Sequence, residues 1–305
     1  MKMSAKTLQM RFFCSRELCR ASTWCSAPIQ ICLFGVHNAT IARKSTCHRK
    51  GENAELSKRY ELIAFDLDGT LGEHKTPISD RHLELLRNLK ERYQLVIAGA
   101  GTCQRIYNQV REFPIDILGS YGMQQSTVSL GQDGEYHLQM LRNDSVPVNI
   151  ADTEERVFEL RRKTGYLDYT GGNVEYHSSG AITFPLLGTK AHIDDKLAFD
   201  PSREKRRAIY SLVVEAFPEY NVFIGGSSSF DIVPKPFDKF HALKRLLEER
   251  GIPQDSVLYV GDDFGEGGND EPVLRGGIDI VNVHDYRKLN VYLSEALEEP
   301  ALLDN

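Results

Sequence analysis

Two aspartates, Asp66 and Asp68, lie in the string Phe65-Asp66-Leu67-Asp68-Gly69-Thr70-Leu71, directly after the apolar run Leu62-Ile63-Ala64. The run predicts a buried parallel strand that ends in two carboxylates and a glycine turn, at the edge where open α/β sheets bind ligands. Close carboxylates repel one another unless a cation or a shared proton lies between them, so the pair favours a hard divalent cation, Mg²⁺, which would also draw in a phosphate. Asp66 is then placed to attack phosphorus and form an aspartyl-phosphate, while Asp68 manages the proton of the leaving or incoming hydroxyl.

The string D-x-D-G-T-L resembles the first motif of the haloacid dehalogenase (HAD) superfamily of phosphohydrolases and phosphomutases. The resemblance implies a later lysine that balances the charge of nucleophile and phosphate, followed by an acidic motif that completes the metal site. Lys239 occupies that place at the start of a predicted helix over residues 238–250, with Asp238 as its N-cap and Gly251 as its stop. Lys239 therefore joins Asp66 and Asp68 as a predicted catalytic residue.

A second apolar strand, Val257-Leu258-Tyr259-Val260-Gly261, also ends in carboxylates and precedes Gly267-Gly268-Asn269-Asp270. By the resemblance, the inner metal shell consists of Asp66, Asp262 and the backbone carbonyl of Asp68. Asp263 and Asp270 are expected to lie close to the ion or to hold a water molecule. The predicted Mg²⁺ set comprises Asp66, Asp68, Asp262, Asp263 and Asp270.

The second motif departs from the superfamily pattern. After the predicted strand over residues 93–98, the position that normally carries a phosphate-binding Ser or Thr is Ala100. The loop Gly99-Ala100-Gly101-Thr102 is able to bind phosphate through backbone N–H groups, with Thr102 as a substitute hydroxyl, but it equally suits a tight turn.

Within the superfamily, the chain is similar to the eukaryotic-type phosphomannomutases with a class IIB cap, over about residues 60–297. The similarity rests on Ser229-Phe230-Asp231-Ile232-Val233-Pro234 followed by Asp238-Lys239, and on Gly261-Asp262 followed by Gly267-Gly268-Asn269-Asp270. It implies that Ser229 and Asp231 contact a sugar.

Four positions where these mutases carry phosphate-binding arginines hold other residues, namely Lys75, Ser178, Thr189 and Lys196. Some positive charge survives, but the forked donors that suit phosphate do not. Because a mutase must grip a phosphate at both ends of a sugar, this loss favours a phosphatase. The predicted substrate-binding residues are Thr102, Lys75, Lys196, Ser229 and Asp231.

Alternating apolar runs and amphipathic helices, such as those over residues 80–93 and 104–113, predict an α/β fold with a Rossmann-like parallel-sheet HAD core. A hairpin is expected over residues 126–141, around Asp133-Gly134. Four domains or segments are predicted: an N-terminal extension (1–57), a first core segment (58–141), an inserted α/β cap (142–227) and a second core segment (228–300).

The first 50 residues carry nine Lys or Arg against one acid, as well as five of the six cysteines, in spacings that fit no zinc pattern. They suit a transit peptide, translated upstream sequence or a basic arm.

The remainder holds 28 basic and 42 acidic residues, which argues against nucleic-acid binding. The longest apolar run, over residues 27–36, is too short to cross a membrane. We expect a cytoplasmic protein, or an imported one if the extension is a transit peptide. The sequence predicts no particular oligomeric state.

Together these features predict a Mg²⁺-dependent phosphatase that hydrolyses a small phosphorylated metabolite, a sugar phosphate, through an aspartyl-phosphate. A sugar phosphomutase close to phosphomannomutase is the first alternative. A non-catalytic binding protein on the same fold is the second. Ala100 supports the latter, whereas the near-complete set of Asp66, Asp68, Lys239 and Asp262 opposes it.

Overall fold

The computed structural model describes residues 60–304, which form two β-sheets flanked by helices. The first stretch contains β1 (Leu62–Phe65), α1 (Asp80–Lys90), β2 (Gln94–Ala98), α2 (Cys103–Gln109), β3 (Asp116–Gly119), β4 (Gln124–Leu130) and β5 (Tyr136–Asn143). The middle stretch contains α3 (Ile150–Thr164), β6 (Glu175–Tyr176), β7 (Ile182–Pro185), α4 (Ile193–Phe199), α5 (Glu204–Ala216), β8 (Tyr220–Gly225) and β9 (Ser229–Pro234). The last stretch contains α6 (Lys239–Arg250), β10 (Val257–Gly261), α7 (Glu271–Arg275), β11 (Asp279–Asn282) and α8 (Leu289–Leu297).

The larger sheet has the strand order β11-β10-β1-β2-β3-β4-β5, and the pairs from β11 to β3 are parallel. Every residue of β1 and β10 is buried, because helices cover both faces of the sheet. Ile63 and Phe65 pack with α1, α2 and α8, whereas Leu62 and Ala64 pack with α6 and α7. This layered arrangement confirms the predicted α/β fold with a Rossmann-like parallel sheet.

The hairpin β4–β5 extends this sheet with antiparallel strands. Its turn contains Asp133 and Gly134; the Asp133 side chain accepts a hydrogen bond of 3.1 Å from the backbone N–H of Glu135. Gly134 has a φ of 84°, a left-handed conformation that glycine adopts without steric cost. The hairpin predicted around this pair is therefore present.

The helix ends follow local sequence signals at two of the predicted sites. Asp238 caps α6 by accepting from the backbone N–H of His241, and Gly251 ends it in the left-handed conformation. The helix predicted over residues 104–113 instead ends at Gln109, because Arg111 and Glu112 adopt positive φ angles of 58° and 60°. Pro114 lies two residues after Glu112, and the residue before a proline, here Phe113, is disfavoured in a helix.

The smaller sheet has the order β6-β7-β9-β8 and is entirely antiparallel. Its inner face packs on α3 and α5 through a separate apolar cluster that includes Val157, Val213 and Phe230. We call this sheet and its helices, residues 150–234, the cap, and the remaining described residues the core. Strand β9 pairs with β7 and β8 in the cap, whereas the sequence prediction placed residues 228–300 in the core.

The predicted N-terminal extension (1–57) lies outside the described residues. Within residues 60–304, no helix is both long and apolar enough to cross a membrane.

Candidate active site

Carboxylates from two neighbouring strands meet where β1 and β10 end. The strands pair in parallel with Phe65 opposite Val260, so Asp66 and Asp262 emerge side by side. Oxygens of Asp66, Asp262 and Asp270 all lie within 4.8 Å of one another. Gly69 lets the chain turn here, because it has a φ of 98° and a Cβ on it would lie 2.7 Å from Oδ2 of Asp262. The described residues thus bring together three acids that are able to hold a metal ion.

Lys239 is fully buried and binds two of the three acids, Asp66 and Asp270. Its Nζ donates hydrogen bonds to Asp66 Oδ1 at 2.6 Å, to Asn269 Oδ1 at 2.7 Å and to Asp270 Oδ1 at 2.7 Å. Burial disfavours the charged amine, but the charges of Asp270 and Asp66 outweigh it and raise the pKa of Lys239. Lys239 is the first residue of α6, so the Asp238 cap fixes the point from which its side chain reaches the site.

Asp270 holds the loop after β10 in place through several hydrogen bonds. Its Oδ1 accepts from the Tyr259 hydroxyl at 2.6 Å as well as from Lys239. Its Oδ2 accepts from the backbone N–H groups of Asp262 at 3.1 Å and of Asp263 at 3.0 Å. With both oxygens engaged in this way, Asp270 positions the Asp262 carboxylate, in addition to lying within the acidic cluster.

The electrostatics of the cluster favour a bound cation. Burial raises the pKa of Asp66 well above its usual range against the opposing charge of Lys239, and repulsion from Asp270 adds to the rise. Burial, and then the charge of Asp270, raises the pKa of Asp262 to about 6. Ionisation of these carboxylates therefore costs free energy, and a bound cation would relieve that cost.

The charge count of the cluster matches a divalent ion. Arg203, from the loop before α5, forms an ion pair with the side chain of Asp263. Arg203 and Lys239 supply two positive charges against the four carboxylates of Asp66, Asp262, Asp263 and Asp270. With all four carboxylates ionised the net charge is −2, and this charge and the all-oxygen donor set fit a hard divalent cation.

The Asp68 carboxylate points away from this cluster and is held by donors from the core. Its Oδ1 accepts from Gln109 Nε2 at 2.6 Å and from the backbone N–H of Lys75 at 2.7 Å. Its Oδ2 lies 3.3 Å from Nη2 of Arg105. Burial opposes ionisation, but these hydrogen bonds and the charge of Arg105 together lower the pKa of Asp68.

One cavity of about 510 Å³ lies between core and cap, and it gathers the predicted site residues. Its core wall includes Asp66, Asp68, Asp262 and Asp263. Lys239 and Asp270 lie buried beside it. All five predicted substrate residues line it, namely Lys75, Thr102, Lys196, Ser229 and Asp231. Ser178 and Thr189, which stand where the mutases carry arginines, line it as well.

The predicted substrate residues differ in how their side chains are engaged. The Thr102 hydroxyl caps α2 by accepting from the backbone N–H of Arg105 at 3.2 Å. Lys196 Nζ donates to the Thr189 carbonyl at 3.2 Å. The Ser229 hydroxyl donates to the Gly225 carbonyl at 3.0 Å. These contacts place the side chains at the cavity wall in defined orientations.

The cap loop over residues 225–229 is held by a buried ion pair. Arg206 Nε lies 2.9 Å from Asp200 Oδ2, and both side chains are 1% exposed. The guanidinium also donates to the carbonyls of Gly225 and Gly226, each at 2.9 Å. Because this loop lines the cavity, the ion pair sets the shape of the cap wall.

Tyr121, which follows β3 in the core, reaches into the cap. Its hydroxyl donates to Asp231 Oδ2 at 2.7 Å, and its ring stacks on Phe223 with centroids 4.9 Å apart. Burial, followed by the charge of Asp231, raises the pKa of Tyr121 well above its usual value. A backbone hydrogen bond from Ile224 to the Gly267 carbonyl, at 2.8 Å, provides a second link between cap and core. The cap is therefore closed over the cavity.

Sequence reasoning missed four of these side chains, Arg105, Gln109, Tyr121 and Arg203. Arg105 and Gln109 had a usable signal, since residues four apart on a helix share a face and this helix follows the second motif. Arg203 and Tyr121 lie in irregular segments with positive φ angles of 62° and 57°, for which the sequence offers no periodic pattern.

The chain is similar to known proteins over most of the described residues. The family model of haloacid dehalogenase-like hydrolases matches residues 132–275. The phosphomannomutase of Encephalitozoon cuniculi is 26% identical over 246 residues, covering 77% of this chain and 94% of that protein. The phosphomannomutase of Schizosaccharomyces pombe is 27% identical over 233 residues, covering 70% of this chain and 84% of that protein.

Among solved structures, the IMP-bound, N-terminally truncated IMP-nucleotidase of Plasmodium falciparum superimposes with a TM-score of 0.56 at 15% identity. The superposition covers 80% of this chain and 69% of that chain. At this level of identity the likeness concerns the fold.

Proposed function

We propose that the chain is a Mg²⁺-dependent phosphatase of the haloacid dehalogenase superfamily. Its substrate would be a small phosphorylated metabolite, a sugar phosphate, and its intermediate an aspartyl-phosphate on Asp66. The proposal is supported by the buried Asp66, which is oriented by Lys239 and lies two residues before an ionised Asp68.

Asp66 is the nucleophile in this proposal. The hydrogen bond from Lys239 holds the carboxylate by Oδ1, so its orientation is fixed before substrate arrives. Attack on phosphorus forms the Asp66–phosphate bond and breaks the bond to the leaving oxygen. The charge of Lys239 stabilises both the nucleophile and the phosphoryl group that replaces its charge.

Asp68 carries the proton. The hydrogen bonds from Gln109 and Lys75 keep it ionised, which suits it to accept the proton of the water that hydrolyses the aspartyl-phosphate. That proton is then available to the leaving oxygen in the next turnover, so the cycle balances.

Asp66 and Asp262 would hold the Mg²⁺, with Asp263 and Asp270 supporting the loop that presents Asp262. When bound, the ion neutralises charge on the carboxylates and on the phosphoryl oxygens. The raised pKa values of Asp66 and Asp262 support this assignment.

The charges on the cap wall favour hydrolysis over mutase chemistry. The cap side of the cavity presents the carboxylates of Glu175 and Asp231. Lys196 donates to a backbone carbonyl, and Arg203 is paired with Asp263. A second phosphate at the far end of a substrate would meet these acids without a forked cation to hold it. This observation carries the choice of a phosphatase.

A phosphomutase is the second candidate, because the relatives from Encephalitozoon cuniculi and Schizosaccharomyces pombe are phosphomannomutases and match most of their own length. The deciding experiment supplies purified protein with Mg²⁺ and a panel of sugar phosphates, with and without a sugar bisphosphate activator. Release of inorganic phosphate and conversion of mannose-1-phosphate to the 6-phosphate are measured in the same reactions, with Asp66→Asn as the control.

We expect phosphate release to exceed isomerisation, with both activities lost in Asp66→Asn. Efficient isomerisation with negligible phosphate release would make the protein a mutase. The cytoplasmic location expected from the sequence stays a prediction.

A further inference from the structure

Arg105 lies in space that a side chain at position 101 would occupy. A Cβ built on Gly101 would lie 2.2 Å from both Nε and Nη2 of Arg105. No real Cβ tolerates such a contact, so any other residue at 101 would displace the guanidinium. The absence of a side chain at Gly101 therefore determines where Arg105 points.

The guanidinium points into the active-site cavity. Arg105 lines the cavity together with Asp66 and Asp68, and its side chain is 36% exposed. Lys239, the cation that binds Asp66, is already bonded to two carboxylates. Arg105 therefore offers forked donors to this cavity from a position beside Asp68.

Asp68 does not depend on Arg105 for its hydrogen bonds. Gln109 and the Lys75 backbone bind its Oδ1 at 2.6 Å and 2.7 Å, whereas the Arg105 contact to Oδ2 is 3.3 Å long. The longer contact is the weaker one. Arg105 is thus able to exchange it for a phosphate oxygen while Asp68 stays anchored.

The loop over residues 99–102 carries one side-chain hydroxyl that could bind a phosphate, that of Thr102. Ala100 has none, and the Thr102 hydroxyl accepts the backbone N–H of Arg105 as the cap of α2. We propose that Arg105 binds the transferring phosphoryl group in place of this hydroxyl, and that Gly101 is the residue that admits it. The inference rests on the proposed phosphoryl-transfer function and names the residue that grips the phosphate.

The test measures phosphate binding separately from turnover. Binding of inorganic phosphate in the presence of Mg²⁺ is followed by calorimetry for the wild type, Arg105→Ala, Arg105→Lys and Gly101→Ala. The matched control is Arg87→Ala, whose side chain is 56% exposed on α1 and pairs with Glu84. KM and kcat are measured in parallel with the best substrate of the panel, and circular dichroism verifies folding.

Arg105→Ala should weaken phosphate binding and raise KM by about 10- to 100-fold, the range for a lost hydrogen bond to a charged group. Arg105→Lys should recover part of the loss, and millimolar guanidinium should restore phosphate binding to Arg105→Ala. Gly101→Ala should show the same weakening because it displaces the guanidinium, whereas Arg87→Ala should match the wild type.

Unchanged phosphate binding in Arg105→Ala would overturn the inference. So would a loss confined to kcat with a shifted pH profile, since Arg105 would then serve Asp68. A wild type that fails to bind phosphate would also overturn it. If the wild type binds phosphate through Arg105 but hydrolyses no substrate, the proposed function fails and the phosphate site stands.

Discussion

Replacing Asp200 with Asn is expected to destabilise the cap strongly. Asp200 accepts hydrogen bonds on both oxygens, from the backbone N–H of Lys205 at 3.0 Å and from the backbone N–H and Nε of Arg206 at 3.1 Å and 2.9 Å. An asparagine presents a donor at one of these two ends. The substitution therefore leaves the buried Arg206 guanidinium without its counter-charge and creates a clash between donors.

Losing one partner of a buried ion pair costs about 3–5 kcal/mol in the free energy of unfolding. For a chain of this size, each kcal/mol lowers Tm by about 2–4 °C, so we expect Tm to fall by about 10 °C. The Arg206 contacts to the loop over residues 225–229 should loosen as well, which raises KM. The double variant Asp200→Asn with Arg206→Met carries no unpaired charge, so it should recover part of the stability but keep the raised KM.

Thermal unfolding at pH 7 measures the effect. The control is Asp152→Asn, which removes the carboxylate of an exposed pair with Arg156 on α3 and should cost only about 0–1 kcal/mol. Burial opposes ionisation of Asp200, but hydrogen bonds from Arg206 and Lys205 lower its pKa below the usual 3.8. The stabilisation is therefore present above pH 3.8 and is lost as pH falls through the folded-state pKa, so the difference between wild type and variant should narrow only in strong acid.

An Asp200→Asn variant within about 2 °C of the wild type at pH 7, or with the same deficit as Asp152→Asn, would refute this reasoning. A lower Tm combined with unchanged KM would refute the link between the ion pair and the cavity wall.

Three further outcomes are expected from the active site. Asp66→Asn should lose activity by about 10³-fold or more in kcat and keep its circular dichroism, because Asn retains an acceptor for Lys239; near-normal turnover would exclude the covalent mechanism. Excess chelator should stop hydrolysis and added Mg²⁺ should restore it and raise Tm, whereas activity that persists in chelator would remove the metal from the mechanism. Lys196→Ala should raise KM more than it lowers kcat, and a purely kcat effect would place Lys196 in the chemical step instead.

The features of the site that follow from local signals were predictable from the sequence. The strand leading to Asp66 is apolar and ends in a glycine turn, and α6 begins and ends at its cap residues, Asp238 and Gly251. These features depend on a few neighbouring residues. Because parallel strands end at the same edge of a sheet, the meeting of Asp66 with Asp262 follows from them.

The features that depend on distant contacts were not predictable. The sequence of β9 identifies a strand, but its pairing with β7 and β8 depends on packing across the cap sheet, so the boundary at residue 228 missed it. The hydrogen bonds of Asp68 to Arg105 and Gln109 span 37 and 41 residues. Sequence periodicity indicates which face of a helix is buried, and it does not reveal which carboxylate that face meets.

Tyr121 connects the closed cap to the core, so any opening of the cap during the proposed reaction has to release it. Opening must break its aromatic stack on Phe223 and its hydrogen bond to Asp231, which together contribute about 2 kcal/mol. These two contacts alone would leave an open population of roughly 3%, and the Ile224–Gly267 hydrogen bond and the Arg203–Asp263 ion pair lower it further. Substrate that enters through the open form binds with an apparent affinity reduced by the same fraction, and phosphate leaves by the same route. If substrate enters only through the open form, the rate at which Tyr121 releases the cap would set an upper limit on turnover.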